Sequence, residues 1–271
     1  SSKGVTVLNL KNNVLKRYVH NGEDTTSLVN DYVFAMTRNS NGEILLGTGD
    51  GVAVYNAKEY NFRKINEFVN ISIKDIEKDY KGNLWFATHR SGIYCLSPDG
   101  QCKHFIHNPM DSTSLPGNNV NCIHQDAKRR IWVGTEGNGI AMFDSQKGCF
   151  ESVMTEASGF PSNIIYDILD DVDGNLWIST GGGLAKVKTD TWDIRTFGYV
   201  ETLQKIRYNL KCALHASDNR LYFGGTNGFI SFNPREITDN ENIPPVIITG
   251  FQVSNIEVKP GKKGAPLTIS I

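Results

Sequence analysis

Apolar residues along this chain fall in short runs with a two-residue alternation, and the runs come in pairs around small turns of Gly, Asn and Asp. That period belongs to half-buried strands, and stretches of helical period are nearly lacking. Five segments align on one another: GEILLGTGDGVAVYN, GNLWFATHRSGIYCL, RRIWVGTEGNGIAMFD, GNLWISTGGGLAKVK and NRLYFGGTNGFISFN. Each reads as turn, apolar strand, small residue with Thr or Gly, variable loop, glycine and second strand. The glycines before the second strand, Gly51, Gly92, Gly139, Gly183 and Gly228, are 41, 47, 44 and 45 residues apart. This is the length of one four-stranded propeller blade.

A further apolar run precedes each unit: DYVFAMTR, ISIKDIEKD, NNVNCIHQD, SNIIYDILDD and YNLKCALHAS. These are the expected innermost strands, A. Asn41-Gly42, Lys81-Gly82, Asp173-Gly174 and Asp218-Asn219 supply the positive φ that a tight A-to-B hairpin needs, whereas Lys128-Arg129-Arg130 breaks the rule. Strands D are expected near Phe62, His104, Phe150 and Ile194. Val5 to Leu10 matches a strand C and Val14 to Val19 a strand D, while the last unit supplies strands A, B and C only. The expectation is an all-β fold, a β-propeller of about five four-stranded blades forming an arc of a seven-bladed ring; a full ring would need on the order of 315 residues. Blades should occupy 1–235, a linker stiffened by Pro244-Pro245 should occupy 236–245, and the start of a β-sandwich should occupy 246–271.

Lys plus Arg number 28 and Asp plus Glu 29. The chain lacks the basic excess that a phosphate backbone demands, so no nucleic acid contact is expected. Five cysteines show no C-x-x-C pair and no metal-ligand spacing, and no cofactor is implied. Cys122 and Cys212, in matching strand segments, read as small buried hydrophobes. His104 and His107 fall on opposite faces of a strand, and His124 and His215 fit packing; no metal site is expected. Asp170 to Gly174 reads as an acidic hairpin turn, since the twelve-residue calcium loop is missing.

Trp85, Trp132 and Trp177 repeat at one strand position and should wedge between blades. The B-to-C loops are strict at both ends and free in the middle, which makes their rim, shared with the D-to-A connections, the candidate recognition surface. His89, Arg90, Glu136, Asn138 and Asn227 could hydrogen-bond sugar hydroxyls there, and Trp192, on a C-to-D hairpin, is a further candidate ligand contact. Asp31, Asn70, Asn119, Asn163 and Asn209 form a row at the strand A starts. A row that is mostly neutral amides argues for capping more than acid–base work, so no catalytic residue is assigned.

The units GNLWFAT…SGIYCL and DGNLWIST…GGLAKVK, with the connections HNGEDTTSLVNDYV and HNPMDSTSLPGNNV, resemble the two-component regulator propeller repeat. PPVIITGFQVSN resembles the start of the immunoglobulin-like, tyrosine-rich domain that follows such propellers. The first, third and last copies depart from the repeat, at EILLGTGDG, AKRR and NRLYFGGTNG. The resemblance implies the periplasmic sensor region of a Bacteroides-type hybrid two-component sensor, the ectodomain of an inner-membrane protein. It further implies an oligosaccharide ligand, packing against other blades and domains of the same protein, a homodimer in the intact sensor, and a histidine kinase controlling polysaccharide-utilisation genes. The alternatives are a propeller enzyme of lyase, lactonase or glycosidase type, which needs converging carboxylates or histidines, and a protein–protein scaffold, which needs an apolar or charged patch recurring in each blade.

Overall fold

A computed structural model of the 271-residue chain describes residues 3–10, 14–197, 206–237, 252–253 and 256–257. The chain divides into two compact units, Ser1–Pro234 and Arg235–Ile271. In the first unit β1 (Val5–Asn9) and β2 (Val14–Tyr18) pair antiparallel. Blade 1 follows as β3 (Val33–Arg38), β4 (Ile44–Thr48), β5 (Gly51–Asn56) and β6 (Asn61–Lys64). Blade 2 comprises β7 (Ile73–Lys78), β8 (Leu84–Thr88), β9 (Ile93–Leu96) and β10 (Cys102–Phe105). In blade 3 the strands are β11 (Val120–Gln125), β12 (Ile131–Thr135), β13 (Ile140–Asp144) and β14 (Cys149–Met154). Those of blade 4 are β15 (Ile165–Asp170), β16 (Leu176–Thr180), β17 (Gly183–Val187) and β18 (Ile194–Phe197). Blade 5 has β19 (Tyr208–His215), β20 (Leu221–Gly225) and β21 (Gly228–Phe232).

Each sheet is a meander in chain order, and the first strand of each blade packs against the first strand of the next. The all-β propeller is therefore as expected, including the initial C–D pair and the final A–B–C sheet. In the second unit Gln252–Val253 pairs with Ile256–Glu257; the expected immunoglobulin-like domain otherwise falls outside the described residues.

The A–B hairpins bend where the sequence places residues that tolerate a left-handed backbone: Gly42, Gly82, Gly174 and Asn219 have φ of 81°, 84°, 79° and 63°. Arg129 takes the same position in blade 3 with φ 66°. Strand B is the buried spine of blades 1 to 4, with Trp85, Trp132 and Trp177 wedged at blade seams. Trp85 meets Phe143 of blade 3, and Trp177 meets Phe232 of blade 5, at ring distances of 4.9 and 4.7 Å. An Asp at the end of strand A accepts each indole N–H: Asp79, Asp126 and Asp171, at 2.9, 2.8 and 2.9 Å. The same carboxylates accept turn N–H groups, so one buried charge satisfies both hairpin and wedge.

Cys122 is buried as expected, but Cys212 is exposed. Leu210, Cys212 and Leu214 lie on one face of β19 that no described blade covers, so the shared sequence position does not give a shared environment.

Candidate functional site

The B–C turns are held by one device. The buried Thr ending strand B donates its hydroxyl to the carbonyl of the glycine that opens strand C or directly precedes it: Thr48 to Gly51, Thr88 to Gly92, Thr135 to Gly139 and Thr180 to Gly183, at 2.7–2.9 Å. Two residues lie between strands B and C in blades 1, 4 and 5, and four in blades 2 and 3. The longer loops come with a stitch to the next blade. Gly92 N–H donates to the Asn118 carbonyl and Gly139 N–H to that of Asn163, at 2.9 and 3.0 Å. The side chains of those asparagines accept the N–H groups of His107 and Glu156 in the D–A connections, at 2.7 and 2.8 Å. Asp31 repeats the pattern with Gly4 and His20.

The row read at the strand A starts is thus a set of inter-blade staples, Asp31, Asn118 and Asn163. In blade 3 the staple is Asn118, one residue before the expected Asn119, whose side-chain oxygen is buried without a hydrogen-bond partner among the described residues. His20 and His107 are absorbed in the same way, each ring Nδ1 bonding a carbonyl, Leu28 or Leu115.

On this scaffold the loops of blades 2 and 3 bring Arg90 and Glu136 within electrostatic reach of His89. Burial first, then the cations Lys74 and Arg90, push the His89 imidazole below its ordinary value, and Glu136 works against them. A depressed histidine is neutral at pH 7 and can both donate and accept. Arg90 stands at the loop tip with φ 70°, and Asn138 lies on the Glu136 loop, its side chain beside Gly117. Lys74, which the sequence reading passed over, occupies the bulge of β7 and lies over the Phe34 ring at 4.2 Å. The cluster therefore offers two cations, a carboxylate, a neutral imidazole and a half-exposed aromatic ring, a set suited to hydrogen-bonding and stacking a polar ring.

Asn227 sits on the same rim at the exposed turn of blade 5. Trp192 does not join them. It lies in the turn between β17 and β18, on the opposite rim, and packs edge to face on Trp132 at 5.9 Å. Of the acidic turn after β15, Asp171 already accepts Trp177 and Asn175. Among the described residues no three His, Cys, Asp or Glu side chains are placed to hold a metal ion.

At the blade axis a second cluster appears that no motif announced. Lys211, at the bulge of β19, reaches Asp75 of blade 2 and Asp167 of blade 4 at 3.0 and 3.3 Å. Burial works against the ammonium, but the two carboxylates dominate and hold it above its ordinary value. The carboxylates also accept the N–H groups of Ile123 and Ala213 in the following blades, at 2.8 and 3.0 Å. This bonded set pins blades together.

Residues 114–137 and 159–182 match the family model for the two-component regulator propeller. The histidine kinase P4 of Formosa agariphila is 28% identical over 256 residues, covering 76% of this chain and 18% of its own length. The extracellular domain assigned to a hybrid two-component system of B. thetaiotaomicron superposes with a TM-score of 0.65 at 20% identity, covering 99% of this chain and 40% of that one. Virginiamycin B lyase from Staphylococcus aureus superposes with a TM-score of 0.59 at 16% identity, covering 88% of this chain and 79% of that one. The chain thus spans under a fifth of the curated relative and under half of the B. thetaiotaomicron domain. The solved structures establish the propeller fold, and the matched units of blades 3 and 4 are two-component regulator propeller repeats.

Proposed function

We propose that this chain is a ligand-sensing propeller segment of a two-component sensor, lying outside the cytoplasm and recognising an oligosaccharide on the B–C rim of blades 2 and 3. The observation that carries this is the cluster of His89, Arg90 and Glu136 on two rigidly stapled loops of a regulator propeller. Its groups are hydrogen-bonding groups on loops whose backbones are held in place, as recognition of hydroxyl-rich ligands requires. Asn138 and the Lys74–Phe34 pair extend the same surface. In the intact sensor the ligand shifts the pairing of this segment with other blades and a following domain, and so biases a dimeric histidine kinase; that step requires a ligand with different affinity for two conformations. The periplasm, control of polysaccharide-utilisation genes and the homodimer belong to this reading through the repeat family.

The test is a calorimetric titration of the chain with oligosaccharides from plant and host polysaccharides. Arg90→Gly keeps the left-handed turn and Glu136→Gln keeps the shape, so each should weaken binding at least about tenfold without unfolding the blade. Unchanged affinity in both variants would contradict the assignment to this rim.

A further inference from the structure

The opposite rim carries a second feature, at the seam of blades 2 and 3. At the next seam, Trp192 stands in the C–D turn of blade 4 and fills the space over Trp132. Its backbone has φ 63°, and its N–H donates to the carbonyl four residues back, Lys188, at 2.8 Å. The C–D turn of blade 3 has the same geometry at Gly148, with φ 71° and an N–H bond to Asp144 of 2.7 Å. An added Cβ at Gly148 would meet nothing within 4 Å. Where one seam carries an indole the other carries a hydrogen, and a cleft of about 310 Å³ is left beside Trp85, Phe105 and Phe143. A cleft of that size takes a six-membered ring with its substituents.

Its walls carry an unusual charge set. Lys81, Lys103 and Arg129 line it, and none of them makes an ion pair or donates a side-chain hydrogen bond among the described residues. Two carboxylates line it as well: Asp79, buried and engaged by Asn83, Trp85 and two backbone N–H groups, and Asp99, bonded to Ser97 and the Gln101 N–H. Arg129 lays its guanidinium over the exposed Tyr80 ring at 4.6 Å. It does so from the left-handed turn position that other blades give to Gly42, Gly82, Gly174 and Asn219. A long side chain accepts backbone strain there, and strain of this kind is characteristic of sites with a function.

We infer that this cleft is a binding site for a small ring compound bearing an oxyanion, with the ring where Trp192 lies in the neighbouring seam and the oxyanion on Arg129 and Lys103. Aromatic side chains supply the ring contact, the unpaired cations supply the charge, and a planar guanidinium suits a carboxylate in two-point contact. This site is on the rim opposite His89 and stands or falls independently of the recognition proposed there.

The test is titration of the chain at low salt with glucuronate, with 4-hydroxyphenylacetate and with neutral methyl glucoside. The first two separate an acidic sugar from an aromatic acid as the source of the ring. Gly148→Trp copies the blade 4 turn and plugs the cleft. Arg129→Gly restores the repeat's own turn residue, and Lys103→Ala, on an exposed strand, changes no turn. Saturable binding of either anion, absent for methyl glucoside and at least tenfold weaker in all three variants, is expected, with the thermal midpoint of Arg129→Gly equal to or above that of the parent. Absence of saturable binding for both anions, or affinity unchanged in Gly148→Trp and Lys103→Ala, would overturn the inference. So would a lower midpoint in Arg129→Gly with no effect on anion affinity, since the arginine would then serve the turn alone.

Discussion

Trp177 shows why the repeat reads Asp, three residues, Asn-Leu-Trp rather than simply Trp. Its indole N–H is buried and needs an acceptor, which Asp171 supplies while also accepting the N–H groups of Asp173 and Asn175 and the Asn175 side chain. Removing that carboxylate strands the buried indole N–H and three part-buried donors at once. Asp171→Ala should therefore cost about 3 kcal/mol, more than Trp177→Phe costs through its lost N–H alone, measured by urea unfolding. The wedge role of the tryptophans was legible from their repetition in the sequence. The acceptor was not singled out, although the six-residue spacing to Trp occurs three times, because the same Asp also looks like an ordinary turn residue. Trp192 was legible as a C–D hairpin residue, but its partner Trp132 lies in another blade, and no local pattern reports that.

At the scale of the element, glycines that look alike in the repeat do two different jobs. Gly42 serves only backbone conformation, since an added Cβ meets nothing within 4 Å. Gly92 combines φ 72° with a strand D carbonyl, Phe105 O, 2.2 Å from the added Cβ, while its N–H stitches to blade 3. Gly42→Asn should change stability by less than about 1 kcal/mol, as Asn219 already fills that place in blade 5, whereas Gly92→Asn should cost roughly 2–3 kcal/mol or more. Thermal unfolding of the two variants checks the contrast. Strand order and hairpins were readable because period-two runs and turn residues recur at one blade's spacing. Loop lengths were readable too, but not their meaning: the four-residue loops bring His89 and Arg90 to Glu136 through staples whose registry, Asn118 rather than Asn119, depends on a one-residue offset that sequence alignment of the row could not resolve.

For the first compact unit taken whole, the axis matters most. Lys211 links Asp75 of blade 2 with Asp167 of blade 4 from its own blade 5, so a single side chain couples blades that are distant in sequence. It was invisible beforehand because it occupies a bulge, where the period of two fails. Lys211→Met should cost about 2–4 kcal/mol at pH 7, since it leaves two buried carboxylates without their cation. Burial already raises the Asp167 carboxyl above its ordinary value, and losing the ammonium raises it further. A carboxyl with a raised folded value is destabilising when ionised, so the deficit of the variant should shrink as pH falls toward 4, which urea unfolding at several pH values would record.

The rim assignment is tested most directly by hydrogen exchange along the chain with and without a mixture of plant and host oligosaccharides, the composition of the mixture being assayed before and after. Slower exchange at residues 89–91 and 136–138, with every oligosaccharide recovered intact, is the predicted result. Unchanged exchange at both loops, or conversion of any oligosaccharide, would contradict it.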